Sequence, residues 1–473
     1  MQLQARDFPQ NARAALGEER LQRALSRAPS GFALKRAIAV ERLPEFESLR
    51  ERGRAIKDET LAHLDFYLER YEENVVASGG KVHWAKTAEE ARQAVLRICR
   101  SVGAKSVTKG KSMVGEEVGL NACLEANGIT PIETDLGEYI IQLRGEPPSH
   151  IIAPAIHLVK EDVAESFRRA HDRLDAARSL EEVRQLCAEA RAVLRPLFLA
   201  ADVGITGANF LVAETGSSII VTNEGNGDLT QLLPRVHIVM ASLEKVVPTL
   251  EDAATLLRLL ARSASGQEFS AYTTLSTGPR RAGDEDGPEE YHVILLDNGR
   301  SALLGGEFQD MLRCIRCAAC LNHCPVYGAV GGHAYGSVYP GPMGAVLSPA
   351  LFGLEGSAHL PNASTFCGRC ESVCPVKIPL PKMMRHWRER EFERRLGPRP
   401  YRVGLQLWAF LALRPALYHA VFGLLARLLG WAGAGRGRFR ALPFLSGWTG
   451  ARDMPAPEGK TFHRLWTERR RAR

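Results

Sequence analysis

Seven of the ten cysteines in this 473-residue chain fall between Cys314 and Cys374, in two runs with the spacing of metal-ligating thiolates. The first run is Cys314-x2-Cys317-x2-Cys320-x3-Cys324-Pro325. Its first three thiolates lie along one tight turn and converge on a single iron–sulfur cubane. The fourth, set off by three residues and followed by proline, starts a helix that faces a second cluster. The second run, Cys367-x2-Cys370-x3-Cys374-Pro375, has the last three positions of the same pattern, and its first position is Ser364. Reciprocal sharing gives Cys314, Cys317, Cys320 and Cys374 to cluster 1, and Cys324, Cys367 and Cys370 to cluster 2. Zinc needs four ligands in one tetrahedron and leaves two interleaved Cys-Pro runs unexplained.

Cluster 2 therefore has only three cysteines. It is either [3Fe–4S], or [4Fe–4S] with Ser364, water, a partner residue or a substrate on the fourth iron; two [4Fe–4S] clusters are the expectation. Such clusters pass single electrons and do no substrate chemistry unless an iron is left open, so an electron carrier without catalytic residues of its own is the first reading. No GxGxxG after a strand, no P-loop and no HExxH is present, which leaves flavin, nicotinamide and nucleotide without local support. Cys99, Cys123 and Cys187 lie singly in helical patterns and are expected in the core.

The elements that must position these thiols precede them. Residues 1–78 read as an N-terminal helical segment, because Leu43, Phe46, Leu49, Ile56, Leu64, Tyr67, Leu68 and Tyr71 recur at threes and fours until Gly79 and Gly80. Over 79–300 β-rich runs alternate with amphipathic helices, which predicts an α/β domain with a largely parallel sheet. Strands are expected at VHWA (82), SVT (106), HIIA (150), NFLVAE (209), SIIVTN (218), HIVMAS (237), AYTTLS (271) and YHVILL (291). Thr87 with Glu90, and Ser179 with Glu182, read as capping boxes. Residues 301–382 read as a small two-cluster domain. The 42 residues between Cys324 and Cys367 hold eight Gly and five Pro, so its fold must lean on its cofactor.

Two further segments carry polar residues without a decisive pattern. In 204–228, Asn209, Thr215, Ser217, Asn223 and Asn226 line either a polar pocket or merely a hairpin turn and an exposed loop. Glu214 within it is a remote candidate for an acyl-transfer nucleophile. Lys109, Lys111 and Ser112 precede a helix and read as an anion site or, more plainly, a solvated basic turn.

The composition, 45% hydrophobic and 24% charged, excludes a disordered chain, a collagen and a disulfide miniprotein. Net charge is +7, but residues 381–473 carry 20 Lys and Arg against 6 Asp and Glu, so the remainder is acidic. Residues 383–473 form a basic, Trp-rich, helical C-terminal region holding Trp387, Trp408, Trp431, Trp448 and Trp466. Its apolar runs, 403–413 and 415–426, are broken by Arg414 and Arg427 and fall short of the roughly 18–20 residues of a membrane span. They predict helices on a surface, docked to a partner subunit or, second, touching a membrane or quinone through 401–473. Nucleic acid is not expected. The N-terminus lacks an apolar targeting segment, so the chain reads as cytoplasmic, with a peripheral place at the inner membrane face as the variant.

In order, ANFLVAETGSSIIVTNEGNGD, CIRCAACLNHCPVYGAVGGHAYGSVYPGPMGAVL and STFCGRCESVCPVKIPLP resemble the lactate utilization protein B family. The resemblance implies a LUD domain, similar to the sugar isomerase and CoA transferase-like fold, followed by a ferredoxin-type domain with two 4Fe-4S clusters. It implies the same assignment of the seven cysteines, with three in cluster 2. It also implies an electron-transfer subunit that works with two companion proteins to oxidise L-lactate to pyruvate. Two rival readings are an enzyme binding a hydroxy acid or acyl ligand at an open iron of cluster 2, and a redox-sensing regulatory scaffold.

Overall fold

Near-continuous apolar runs such as VHIVMAS and YHVILL are what strands buried on both faces require, and they form the middle of a parallel sheet. In the structure, a computed structural model that describes residues 4–175, 177–442, 449 and 452–471, ten strands make up two sheets in the first part of the chain. They are β1 (Lys81–Ala85), β2 (Ser106–Gly110), β3 (Thr130–Glu133), β4 (Val203–Gly207), β5 (Phe210–Val212), β6 (Ser217–Thr222), β7 (Val236–Ser242), β8 (Val246–Val247), β9 (Tyr272–Ser276) and β10 (Glu290–Leu296). Six of them pair in parallel in the order β1-β10-β7-β4-β2-β3. β4 and β7 are buried along their whole length, while β1 at the edge is mostly exposed or half-buried.

The crossover from β1 to β2 starts where the capping residues predict. Thr87 Oγ1 accepts from Glu90 N at 3.2 Å, and helix Ala88–Ser101 buries Ala91, Val95, Ile98 and Cys99 against the sheet core. The second box lies three residues later than expected: helix Val183–Ala200 is capped by Glu182, whose N–H bonds the Gln185 side chain at 2.9 Å. β3 escapes the pattern because it is only four residues long and contains Pro131, which confines it to the sheet edge.

HIIA at 150 is not a strand. His150 Nδ1 accepts from the N–H groups of Ile152 and Ala153, both at 3.2 Å, and folds the segment into a turn. A second sheet, in the order β8-β5-β6-β9, is also unexpected. β5 and β6 pair antiparallel through the hairpin turn at 214–216, β9 pairs antiparallel with β6, and β8 adds parallel to β5.

The N-terminal helices Phe46–Ala62 and Leu64–Ala77 join the core rather than standing apart. Phe46, Leu49 and Ile56 share one buried cluster with Leu256, Met311, Cys317 and Val376, while Leu68 and Tyr71 pack with Val239 and Val293. Of the three lone cysteines only Cys99 is buried; Cys123 is half-buried and Cys187 exposed, so the last two are not core residues.

The chain divides into two compact units, Met1–Glu391 and Phe392–Arg473. In the second, helix Arg399–Ala412 is followed by Pro415–Gly433, a two-residue antiparallel ladder between Arg438–Phe439 and Met454–Pro455, and helix Phe462–Arg471. Pro415–Gly433 runs unbroken through Arg427. At 19 residues and a mean hydropathy of 1.2 it is long and apolar enough to cross a membrane, unlike the two short runs expected. Leu413, Trp431 and Phe462 are more than three-quarters exposed, and Trp448 lies outside the described residues.

Candidate metal centre

The two cysteine runs adopt one backbone twice. Arg316 (φ 59°) and Ala318 (φ 60°) flank Cys317 in left-handed conformations, and Phe366 (φ 54°) and Gly368 (φ 76°) flank Cys367 likewise. Such alternation turns successive N–H groups toward one centre, a concavity that receives anionic sulfur. One-turn helices follow, Ala319–Asn322 and Arg369–Ser372. They close with matching bonds, Cys324 N to Leu321 O at 3.0 Å and Cys374 N to Glu371 O at 3.1 Å. In this register Ser364 stands where Cys314 stands in the first run. Three of the four left-handed residues are not glycine, so each costs about 1–2 kcal/mol that the surroundings must hold.

The runs surround two separate cavities. Cys314, Cys317, Cys320 and Cys374 line one, with Ile151, Met343, Val376 and Ile378 completing an apolar wall. Cys324, Cys367 and Cys370 line the other together with Ser364, whose Oγ accepts from Phe366 N at 3.1 Å. Burial pushes the Cys317 thiol up to about 12 and Cys374 up to about 11, and neighbouring thiols add to the rise. In the second set Cys370 is pushed up to about 12, but exposed Cys367 is lowered by the N–H of Arg369 and the hydroxyl of Thr365. Buried thiols this close stay protonated unless a cation gathers them as thiolates, which is what iron supplies. The donors therefore fit: four sulfurs in a dry enclosure with Ile378 N aimed at Cys374 Sγ at 3.4 Å, and three sulfurs plus one hydroxyl nearer the surface.

A buried ionic chain ties the first set to the α/β part. Arg300 is bidentate on Glu117 (2.9 and 2.6 Å) and paired with Glu244 at 3.0 Å; Arg316 Nη2 donates to Glu244 Oε1 at 3.1 Å and lies over the Tyr339 ring. Tyr339 in turn donates to Glu117 at 2.6 Å. Burial alone would raise Glu244, but Arg300 and Arg316 outweigh it and hold the carboxyl down to about 2. None of these partners carries a sequence signal, because they come from distant parts of the chain and meet only through the fold.

Beside Arg316 opens a cavity of about 350 Å³ that shares Arg316 and Ile151 with the first cysteine cavity and no residue with the second. Of the polar residues expected in a pocket, Asn209 and Asn223 line it and Thr215, Ser217 and Asn226 do not; Lys111, from the separate basic segment, lines it too. Thr215 and Ser217 bond each other in the hairpin turn at 2.8 Å. Glu214 is exposed and its carboxylate caps helix Leu250–Ala264 through Leu250 N at 3.0 Å, which occupies it structurally. Lys109 is fully buried between Glu116 and Glu133, both at 2.7 Å, and Ser112 caps helix Met113–Val118, so these two are engaged within the protein. Elsewhere Glu146, His157 and His333 place ligand atoms within 4.8 Å of one another, with Arg144 paired to Glu146.

Residues 68–296 match the LUD domain, 310–378 the 4Fe-4S dicluster domain and 396–471 the C-terminal domain of lactate utilisation protein B. The chain is 44% identical over 473 residues to a protein named Lactate utilization protein B from Anoxybacillus flavithermus, covering 99% of each. It is 46% identical over 442 residues to one of the same name from Geobacillus kaustophilus, covering 92% of this chain and 91% of that one. A DUF162 family protein from Deinococcus radiodurans superposes with a TM-score of 0.28 at 14% identity, over 49% of this chain and 98% of that one, a likeness too slight to bear on the fold.

Proposed function

Given that this chain belongs to the lactate utilization protein B family, we propose that it is the iron–sulfur electron-transfer subunit of a complex that oxidises L-lactate to pyruvate. The kinship supports a role in lactate utilisation, and the dicluster domain supports iron–sulfur chemistry. The observation that carries the finer reading is the pair of cysteine cavities, each lined by thiols from both runs.

In this reading Cys314, Cys317, Cys320 and Cys374 hold one [4Fe–4S] cluster. Cys324, Cys367 and Cys370 hold the other, with Ser364 at the fourth position. When bound, the clusters supply one-electron storage and release. The chain's own residues do the rest. Ile151, Met343 and Val376 keep water from the first site, and the N–H groups of Val376 and Ile378 stabilise the Cys374 thiolate. The exposed side of the second set, at Cys367, is where a partner can approach. The parts divide as an N-terminal helical segment (1–78), a LUD-like domain (79–300), a two-cluster domain (301–382) and a C-terminal region (383–473). That last region docks companion subunits, with membrane or quinone contact through 401–473 as its second use; the exposed apolar side chains of Pro415–Gly433 support either.

The test is anaerobic reconstitution with the companion subunits. Adding L-lactate is expected to bleach the visible absorption of this chain's clusters, and to leave it unbleached when the chain is alone. Bleaching by lactate without partners would favour the enzyme reading, and no bleaching in the assembled complex would overturn the relay.

A further inference from the structure

The 350 Å³ cavity is lined by three cations, Lys111, Lys245 and Arg316, and by the carboxyls of Asp135 and Glu138, and the three cations are not equally partnered. Lys111 is paired with Asp135 and, at 3.6 Å, with Glu224, and Arg316 is paired with Glu244. Glu138 accepts from Lys111 N at 3.1 Å, and burial, with Glu133 and Asp135 beside it, raises its carboxyl well above the usual carboxylate range. Glu244 is shared by Arg300 and Arg316, and Arg300 is matched by Glu117. That leaves Lys245. It is 7% exposed, on the short turn Leu243–Lys245 between β7 and β8, and among the described residues no hydrogen bond or ion pair is formed by its ammonium.

A buried cation without a partner is costly unless something binds it. Burial beside Arg316 lowers its proton affinity to about 8, so it is still largely charged near neutrality. Thr222, 4% exposed and lining the same cavity, also has a hydroxyl without a partner. The lining is mixed, with Asn209, Asn223 and Gln267 among its polar members and an apolar part made by Val114, Ile151, Met240, Leu260 and Ala264.

We propose that this cavity is a binding site for an organic acid with one negative charge and an apolar body, whose carboxylate is held by Lys245 and Thr222. The volume is that of about a dozen waters at roughly 30 Å³ each, several times the bulk of a three-carbon acid. The cavity therefore has room for an acid larger than lactate. Its carboxylate would neutralise the one unmatched cation, and its hydrocarbon would fill the space between Met240 and Leu260. Because Arg316 lines both this cavity and the first cysteine cavity, a ligand here is in contact with the loop that carries Cys314 and Cys317.

The site stands apart from the electron-relay reading, since it is built from protein groups alone. The test is calorimetric titration of the anaerobically purified full chain with straight-chain 2-oxo acids from pyruvate to 2-oxooctanoate and with their methyl esters. Affinity is expected to rise with chain length, and the esters to bind at least tenfold more weakly. Lys245→Met is expected to lose at least tenfold with an unfolding temperature no lower than the parent's, because it removes an unpaired buried charge, and Thr222→Val to lose severalfold. Failure of every acid to bind, equal binding of esters, or an unchanged dissociation constant in Lys245→Met would each overturn the proposal. Iron and sulfide measured on the same sample separate the two readings: loaded clusters with no acid binding defeat only this one.

Discussion

Arg316, two residues after Cys314, donates to Glu244 just after β7 at 3.1 Å, so the first cysteine loop is pinned to the parallel sheet by a buried ion pair. Both residues are under 10% exposed at the side chain, and Glu244 also serves Arg300. The pair is a joint between the two parts of the chain, and its loss should be felt in both.

Glu244→Ala leaves Arg300 and Arg316 buried short of one counter-charge. Removal of one partner of a buried pair costs about 3–5 kcal/mol. Urea unfolding under anaerobic conditions is expected to show a loss of this size. A loss under about 1 kcal/mol, the range of a surface pair, would mean that water reaches this network.

The histidines of the parallel sheet set a pH dependence. Burial in β7, with His292 nearby, lowers His237 from its usual 6.5 to about 3. The unfolded chain takes up this proton near pH 6.5 and the folded chain does not, so stability is full above 6.5 and falls as pH drops toward 3. The slope approaches ~1.4 kcal/mol per pH unit for one such group. Chemical denaturation between pH 6.5 and 5 should therefore be shallower in pH for His237→Gln than for the parent chain, whatever the offset between them.

Gly332 has no room for a side chain, because a Cβ would fall 1.7 Å from Ser149 O. Ser149 also accepts from Tyr327 through that oxygen at 2.8 Å. Gly332→Ala forces the 149–154 turn away from the cysteine domain and is expected to cost about 1–3 kcal/mol in a urea midpoint. An unchanged midpoint would show that this junction yields freely.

Ser364 offers a direct check of the second set. Ser364→Ala is expected to alter the electron paramagnetic resonance of that cluster and leave the first unchanged, while Ser364→Cys supplies a fourth thiolate and should slow loss of iron in air. An identical spectrum for Ser364→Ala would remove the serine as a ligand, and a [3Fe–4S] signal in the oxidised parent would remove the fourth iron itself.

The seven cysteines were legible because covalent spacing along a chain is local: x2 and x3 repeats specify a turn whatever surrounds it. The parallel sheet was legible for a similar reason, since β7 and β10 are unbroken apolar runs. β3 was not, because four residues with an edge proline carry no period. The 150 segment misled because its apolar HIIA pattern is overridden by His150 bonding the backbone two and three residues on. The ionic chain from Glu117 to Arg316 and the partnerless Lys245 were invisible in the sequence, because charges 199 residues apart become neighbours only through the fold. The division at Arg414 and Pro415 was legible, and two helices meet there, but the second run ends at 426 in the sequence only because Arg427 interrupts the apolar pattern, whereas a single arginine leaves helix geometry intact.

The account rests on two clusters held by interleaved cysteines. The measurement that tests it most directly is iron and sulfide analysis of the anaerobically purified chain, with paramagnetic resonance before and after dithionite. It is made on the parent and on Cys314→Ala and Cys324→Ala. The account predicts about eight irons per chain and two cluster signals on reduction, with each variant losing a different one. A chain without iron, under conditions that keep a control ferredoxin intact, or two variants losing the same signal, would contradict it.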